Sequence, residues 1–170
     1  MTAAPRAGPG GKEEVTNPVA RDYSPIMQSL ADLESEYSFL EADDRYRLLI
    51  DLGRELEAMP DPLKTDATLV RGCSASVWVY PTVQGDGTLH FLADSNAAIT
   101  KGIIALVLLT VQDQPPARIL ATNIAQALAP FDLSKQLSSN RPQGIPNMIA
   151  LTQETAARYA TCLLHHSDPP

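Results

Sequence analysis

The chain has 170 residues, of which 44% are hydrophobic and 19% are charged, and its formal net charge at pH 7 is −7. This length and composition predict one globular domain and exclude a wholly disordered chain. The acidic balance disfavours nucleic acid as a partner, because phosphate binding needs a basic surface. The longest apolar stretch, residues 102–109, is far shorter than the roughly 20 residues of a membrane-spanning helix, so we expect no membrane partner.

The N-terminal segment, residues 1–23, is expected to be a flexible tail, because it is rich in Ala, Pro and Gly and shows no hydrophobic period. It lacks an apolar signal-type segment, and Glu13, Glu14 and Asp22 do not suit a transit peptide. We therefore expect a cytoplasmic protein whose folded domain spans residues 24–166. The plastid stroma is the alternative if the source cell carries plastids.

Two helices are predicted to open the domain. Ser24 and Pro25 have the residue types of an N-cap and a first helical position. The buried face of this first helix is predicted to carry Ile26, Leu30, Leu33 and Tyr37. In the second helix Asp43 and Asp44 lie in the first turn, and Pro60 is the predicted end. Its predicted buried residues are Tyr46, Leu49, Ile50, Gly53 and Leu56.

The middle of the chain predicts a β-hairpin. The segments "SVWVYPTV" and "TLHFLADS" are rich in β-branched and aromatic residues, and "QGDG" between them carries the Asp-Gly pair of a tight turn. Val77 and Val79 alternate with Trp78 and Tyr80, which indicates a sheet with one face covered by helices. Residues 68–70, "TLV", are expected to add a third strand.

Helices are predicted for the rest of the chain. The apolar residues of "AAITKGIIALVLLTVQ" predict a central buried helix, with Asp94, Ser95 or Asn96 as its cap. Short helices follow in "QPPARILAT" and "IAQALAPF", then an exposed loop, "LSSNRPQGIPN", and a C-terminal helix, "MIALTQETAARYATCLL". This order predicts an α+β fold, a single compact domain in which a small antiparallel sheet packs against helices.

Cys73 is the strongest candidate for chemistry. A single cysteine is more often structural, and a cysteine used for packing usually lies among large apolar residues. Here Gly72 permits a backbone bend, Ser74 is small and polar, and Arg71 offers a positive charge that would favour the thiolate. We therefore predict a reactive thiol at Cys73.

Other cysteine and histidine chemistry is disfavoured. A Cys-His hydrolase needs a base held near the nucleophile, and no motif brings His90 or His165 to Cys73. Cys162 and His166 share a helix face, but two ligands do not make a metal site, and Cys162 is expected to be a small buried residue. The sequence contains no glycine-rich phosphate or dinucleotide motif, so we expect no bound cofactor and no metal.

Four segments together resemble the SufE family, the sulfur-acceptor proteins of cysteine desulfurases in iron-sulfur cluster assembly. They are "RYRLLIDLGRELEAMP", "LVRGCSASVWV", "LHFLADSNAAITKGIIALV" and "LSSNRPQGIPNMI", in the family's order and spacing over residues 44–159. Gly-Cys followed by Val-Trp is moderately specific alone, whereas four blocks in register are a strong signal. The resemblance implies a compact α+β fold related to the NifU-type scaffold fold, with the reactive cysteine on a loop beside the sheet.

The resemblance also implies site residues and partners. Cys73 matches the reactive cysteine, Asp94 the acidic position after the second strand, and Arg141 with Gly144 the Arg-x-x-Gly loop before the last helix. The residues expected to support the cysteine loop or to contact a partner are Arg71, Gly72, Ser74, Asp94, Arg141 and Gly144. The implied partners are a SufS-type cysteine desulfurase, which carries the pyridoxal phosphate, and iron-sulfur scaffold proteins. The chain itself is expected to be a monomer or a homodimer, and any activity of its own would be sulfurtransferase-like and exerted together with the desulfurase.

The sequence departs from the family beside the cysteine. Family members commonly carry Gln-Ser after it, whereas this chain has Ser74 and Ala75, so a loop contact through that glutamine is absent or made differently. Two other interpretations stay open: an iron-sulfur scaffold, which needs about three or four well-placed ligands, and an interaction module in which Cys73 is structural. If sulfur is transferred, we expect docking that aligns two sulfur atoms, rather than a strongly lowered thiol pKa, to provide most of the acceleration.

Overall fold

A computed structural model describes residues 29–137 and 144–165 of the chain, so the predicted tail, residues 1–23, lies outside the described residues. The elements in chain order are α1 Leu30–Phe39, α2 Ala42–Arg54, β1 Val77–Val83, β2 Leu89–Ser95, α3 Ala98–Val111, α4 Pro116–Ala121, α5 Ile124–Leu128 and α6 Gly144–His165. Short 3₁₀ turns occupy Asp61–Leu63, Ala129–Phe131 and Leu133–Gln136. The predicted α+β class, a small antiparallel sheet packed against helices, is confirmed.

Helix α1 is capped by Ser29, whose Oγ accepts the backbone N–H of Asp32 at 3.1 Å. Such a cap satisfies one of the N–H groups that have no partner within the helix. Leu33 and Tyr37 are buried, as predicted. The helix begins later than the predicted start at positions 24 and 25, which lie outside the described residues.

Helix α2 is shorter than predicted. It ends at Arg54 instead of continuing to Pro60. The chain after Arg54 is not helical, and in this path the side chain of Met59 is buried. The prediction that Tyr46 is buried is wrong, since this residue is 46% exposed. Helix α2 touches the backbone of α3 at Leu49 and Gly53, which follow Tyr46 by about one and two turns. Helix α3 therefore does not cover Tyr46. The other predicted core positions are buried or partly buried: Leu49, Ile50, Gly53 and Leu56.

Strands β1 and β2 form the predicted antiparallel hairpin, with Val77 opposite Ser95. Gly87 in the connecting turn has φ +83°, a conformation that favours glycine. The face toward the helices carries Val77, Val79, Leu89, Phe91 and Ala93, all buried. The predicted third strand is reduced to one bridge between Leu69 and Trp78, because the chain turns into the cysteine loop directly after it.

Helix α3 is the centre of the described fold, as predicted. It packs against α2, β2, α5 and α6. Its buried residues include Ile103, Ile104, Leu106, Val107, Leu108 and Val111. The backbones of α2 and α3 touch where Gly53 meets Gly102, because neither residue has a Cβ to separate them.

The predicted side-chain cap of α3 is wrong. The N-cap residue is Ala97, and no side chain caps the helix. The three candidates bind other groups: Ser95 Oγ donates to the Ser76 carbonyl at 2.8 Å, Asn96 Oδ1 accepts the Ser76 N–H at 3.0 Å, and Asp94 pairs with lysines. Ser95 and Asn96, at the end of β2, therefore hold the cysteine loop and do not cap the first turn of α3.

Helix α6 closes the described fold and brings its first residue, Gly144, to the cysteine loop. Its buried side includes Met148, Thr152, Thr155 and Ala156. The predicted exposed loop before it spans residues 137–147. Residues 138–143 lie outside the described residues, whereas 144–147 are helical, so the prediction of a loop there is wrong and α6 begins one turn earlier than predicted. Among the helices that the structure describes, none has the length and apolar character needed to cross a bilayer.

Candidate functional site

The cysteine segment is a short loop held at both ends. Where it leaves the sheet, the N–H of Val70 donates to the carbonyl of the first residue of β1 at 2.8 Å. Gly72 has φ +82°, so it provides the predicted bend. At the other end the N–H of Ser76 donates to Oδ1 of Asn96 at 3.0 Å. Cys73 lies between these fixed points.

The Cys73 side chain is half-buried against the start of α6. Its Sγ lies 3.8 Å from the carbonyl oxygen of Gly144, within hydrogen-bond range for sulfur. A cavity of about 20 Å³ adjoins the thiol, and it is lined by Ser74, Ala75, Thr100, Ile103, Leu137, Gly144, Ile145 and Met148. This volume is close to that needed for one water molecule. The structure thus brings Cys73 and Gly144 together, beside room for about one further atom.

Burial raises the pKa of the Cys73 thiol above its ordinary value. The expectation that Arg71 favours the thiolate is wrong, because this exposed residue contributes its carbonyl group to the loop contacts and its charge does not offset the burial. The expectation that the thiol pKa is not strongly lowered is confirmed. At neutral pH the resting thiol carries less than the few per cent of thiolate of an ordinary cysteine.

This burial predicts a pH profile for Cys73. Only the thiolate reacts with iodoacetamide, so the alkylation rate of Cys73 should rise about tenfold per pH unit from pH 7. The rate should level off at a higher pH than the alkylation rate of an ordinary cysteine, because burial raises the pKa of Cys73. The measurement is site-resolved alkylation by peptide mass spectrometry. The control is the same titration in denaturant, where the thiol regains its ordinary pKa. A folded-state midpoint below the denatured one would contradict the burial argument.

Asp94 lies within β2, rather than after it as predicted, and is held by two lysines. Its Oδ2 is 2.6 Å from Nζ of Lys64, and its Oδ1 is 2.9 Å from Nζ of Lys101. Burial raises the pKa of this carboxyl, but the hydrogen bonds from the two lysines outweigh that effect and hold the pKa below its ordinary value. Asp94 lines an open groove of about 620 Å³ and not the cavity beside Cys73.

Neither His90 nor Cys162 belongs to the Cys73 site. His90 places Nδ1 2.7 Å from Asp113 and Nε2 2.7 Å from Glu57. Burial lowers the pKa of His90, but the two carboxylates raise it further, so it lies above its ordinary value. Cys162 is exposed, so the prediction of a buried residue is wrong. It lies near the end of α6, beyond the residues of that helix that the structure describes as buried.

One predicted site residue, Arg141, lies outside the described residues, as does His166 of the disfavoured pair with Cys162. Two others were not predicted. Asn147, in the first turn of α6, donates through Nδ2 to the Arg71 carbonyl at 3.0 Å. Thr100 lines the Cys73 cavity from α3. Thr100 could have been found from the sequence, because a polar residue within the apolar helix α3 indicates a special position. No sequence pattern indicated a role for Asn147.

The described residues also define what the site can hold. Over 29–137 and 144–165, no three His, Cys, Asp or Glu side chains cluster in a way that would bind a metal ion. The side chains around Cys73 are mostly apolar, with hydroxyl groups from Ser74 and Thr100. This arrangement has room for about one further atom attached to the Cys73 sulfur.

Comparison with known proteins assigns the family. A family model described as SufE, Fe-S metabolism associated domain, matches residues 31–156. The chain belongs to the SufE family. The resemblance inferred from the four sequence blocks is therefore confirmed, and the match covers the cysteine loop, α3 and the start of α6.

Individual relatives agree with this assignment, and one solved structure shares the fold. The sulfur acceptor protein CsdE of Escherichia coli strain K12 is 38% identical over 103 residues, which are 61% of this chain and 70% of CsdE. A SufE-like protein of Rhizobium etli is 32% identical over 135 residues, 77% of this chain and 91% of the relative. One of Rhizobium meliloti strain 1021 is 33% identical over 127 residues, 72% and 91% respectively. The solution structure of a hypothetical protein from Thermus thermophilus shares the fold, with a TM-score of 0.63 at 16% identity over 78% of this chain and 96% of that one.

Proposed function

We propose that this SufE-family chain accepts sulfur on Cys73 from a persulfide of a SufS-type cysteine desulfurase. The Cys73 thiol first loses its proton to solvent. Its thiolate then attacks the outer sulfur of the enzyme persulfide, a new S–S bond forms to Cys73, and the old S–S bond breaks. The desulfurase cysteine leaves as a thiolate, so the exchange involves no net oxidation or reduction.

One observation carries this proposal: the Cys73 thiol is half-buried on a loop beside a cavity of about 20 Å³. The cavity has room for about one additional atom, which is what a persulfide adds to the thiol. The lining is mostly apolar, so it would limit the access of water and of other thiols to the bound sulfur. Cys162, in contrast, is exposed.

Positioning, rather than thiol acidity, is expected to provide the rate. Lowering a thiol pKa from about 8.5 to about 7 raises the thiolate fraction at neutral pH roughly tenfold, but the weaker nucleophile loses about fivefold in rate. Alignment of two sulfur atoms in a docked complex offers many more orders of magnitude. The raised pKa of Cys73 is compatible with this mechanism, because docking can bring the thiol out of its cavity.

The proposal extends to the onward step. The Cys73 persulfide would pass its outer sulfur to an iron-sulfur scaffold protein, and the pyridoxal phosphate would stay on the desulfurase. CsdE, a relative named as a sulfur acceptor, supports the acceptor role. The scaffold interpretation of this chain itself is less well supported, because the described residues around Cys73 include no second cysteine.

A mass measurement tests the acceptor role. The chain is incubated with cysteine and a purified SufS-type desulfurase from the same organism, and its intact mass is recorded under non-reducing conditions. Wild type and Cys162→Ser should gain a dithiothreitol-sensitive mass of one sulfur atom, whereas Cys73→Ser should not. The exposed Cys162 makes Cys162→Ser the matched control. An adduct that survives in Cys73→Ser and disappears in Cys162→Ser would overturn the assignment.

A further inference from the structure

The loop that carries Cys73 is held to the rest of the fold by side chains from two elements. At the end of β2, Asn96 and Ser95 bind both backbone groups of Ser76, at 3.0 Å and 2.8 Å. From α6, Asn147 Nδ2 donates to the Arg71 carbonyl at 3.0 Å. The contacts of Ser95 and Asn96 hold the loop where it enters β1, whereas the α6 contact holds it on the other side of Cys73.

The Asn147 contact lies directly above the bend of the loop. A Cβ on Gly72 would overlap the Asn147 amide, so this side chain and the Gly72 backbone are in close packing. The bend at Gly72 turns Cys73 toward the start of α6, where its Sγ meets the Gly144 carbonyl at 3.8 Å. The hydrogen bond from Asn147 and the burial of Cys73 therefore depend on the same loop position.

The half-buried position of the thiol hinders the transfer proposed above. A persulfide on another protein must approach the Cys73 sulfur to bonding distance, yet this sulfur packs against α6. The neighbours Arg71, Gly72 and Ser74 are exposed, so the loop surface is more accessible for docking than Cys73. Movement of the loop away from α6 would therefore present the sulfur more fully to a partner.

We infer that Asn147 is a positioning residue that latches the cysteine loop onto α6 and sets how often Cys73 is presented to a partner. The inference rests on the proposed function for its biological use, but the latch itself is a property of the chain alone. In the latched state the sulfur faces its cavity. When the amide releases the Arg71 carbonyl, only the weak contact of Cys73 Sγ with Gly144 and its apolar neighbours still holds this side of the loop to the described part of α6. The hydrogen bond of Ser76 keeps the other end of the loop in register.

The expected effect is moderate, because one hydrogen bond is removed. Its net contribution corresponds to roughly a two- to tenfold change in the equilibrium between latched and released loop. A partner that binds only the released loop has an apparent affinity reduced by the released fraction. Loss of the latch should therefore lower, by the same roughly two- to tenfold factor, the chain concentration that gives half-maximal stimulation of the desulfurase.

Thiol alkylation tests the latch without a partner. Wild type, Asn147→Ala, Asn147→Leu and Asn147→Gln are treated with iodoacetamide at pH 8, and adducts on Cys73 and Cys162 are quantified separately by peptide mass spectrometry. Leu has nearly the shape of Asn but no donor, whereas Gln keeps an amide donor. We expect Cys73 to react roughly two to ten times faster in the Ala and Leu variants, with Gln slower than Leu and the Cys162 rate unchanged.

The design separates a latch from a general loss of stability. Ala and Leu are better helix formers than Asn, so they should not weaken α6 itself, and the melting temperature is measured for each variant. The matched control is Asn123→Ala, which removes the N-cap hydrogen bond that Asn123 Oδ1 accepts from the Gln126 N–H at 3.1 Å in α5. This control should lower the melting temperature without changing the Cys73 rate.

Two results would overturn the latch. One is a Cys73 alkylation rate in both the Ala and Leu variants within the error of wild type. The other is a Cys73 rate that rises in Asn123→Ala as much as in the Asn147 variants, which would mean that it follows stability. Failure of the proposed function is distinguishable, because it would appear as unchanged sulfur acceptance in Cys73→Ser whatever the alkylation rates are.

Discussion

Replacing Cys73 with serine is expected to reduce the desulfurase turnover measured with this chain to the rate measured without it. A serine hydroxyl is not ionised near neutral pH and cannot form an S–S bond, so the enzyme persulfide has no acceptor. The measurement is sulfide or alanine production by a purified SufS-type desulfurase with cysteine as substrate, over a range of acceptor concentrations. The loss should appear in the maximal rate and should not be overcome at high concentration, because docking is retained and chemistry is not.

The control variant is Cys162→Ser, which should stimulate the desulfurase as wild type does. Both substitutions replace sulfur by oxygen and change shape little, and melting temperatures for both should lie near that of wild type because Cys73 is only half-buried. If Cys73→Ser stimulated turnover fully, the chain would act on the desulfurase by docking alone. The interaction-module interpretation would then replace the sulfur-acceptor proposal.

The parts of the fold that follow local sequence patterns were predictable. The alternation around Val77 and the Asp-Gly pair specify the hairpin through contacts between residues close in sequence. The apolar composition of α3 likewise specifies a buried helix. The errors arose where tertiary contacts override the local pattern. Tyr46 lies on the apolar face of α2 but is not covered by α3, so it is exposed. Met59 is buried because the chain is no longer helical after Arg54.

The candidate site was predictable only in part, for the same reason. Cys73 was identified from its small polar neighbours and the family resemblance, and Gly144 from the Arg-x-x-Gly pattern. Asn147 is separated from Arg71 by 76 positions, and its amide has no local role that a sequence pattern could reveal. The prediction that Arg71 favours the Cys73 thiolate was wrong, because closeness in sequence within a bent loop does not bring the two side chains together. Burial, which depends on α3 and α6, dominates the thiol pKa.

The contact between α2 and α3 predicts the largest effect on stability, from Gly102→Ala. In an ordinary helix this change stabilises by about 0.5–1 kcal/mol, because alanine restricts the unfolded chain and favours helix. Here a Cβ on Gly102 would overlap the backbone of Leu49, and backbone atoms cannot move aside as a flexible side chain can. The two helices must separate, so we expect the free energy of unfolding to fall by about 3 kcal/mol. Thermal and urea unfolding should show this as a decrease of roughly 6–12 °C in melting temperature.

The displacement would also reach the cysteine site, because α3 carries Thr100 and Ile103 in the wall of its cavity. Gly102→Ala should therefore loosen the burial of Cys73 and move the midpoint of its alkylation profile down, toward that of the denatured chain. Gly85→Ala is the matched control, since a Cβ at Gly85 in the hairpin turn meets no atom within 4 Å, and its effect on stability should stay within about 0.5 kcal/mol. If Gly102→Ala were as stable as Gly85→Ala, the two helices would not be in backbone contact. The central helix would then not couple the packing of α2 to the reactivity of the thiol.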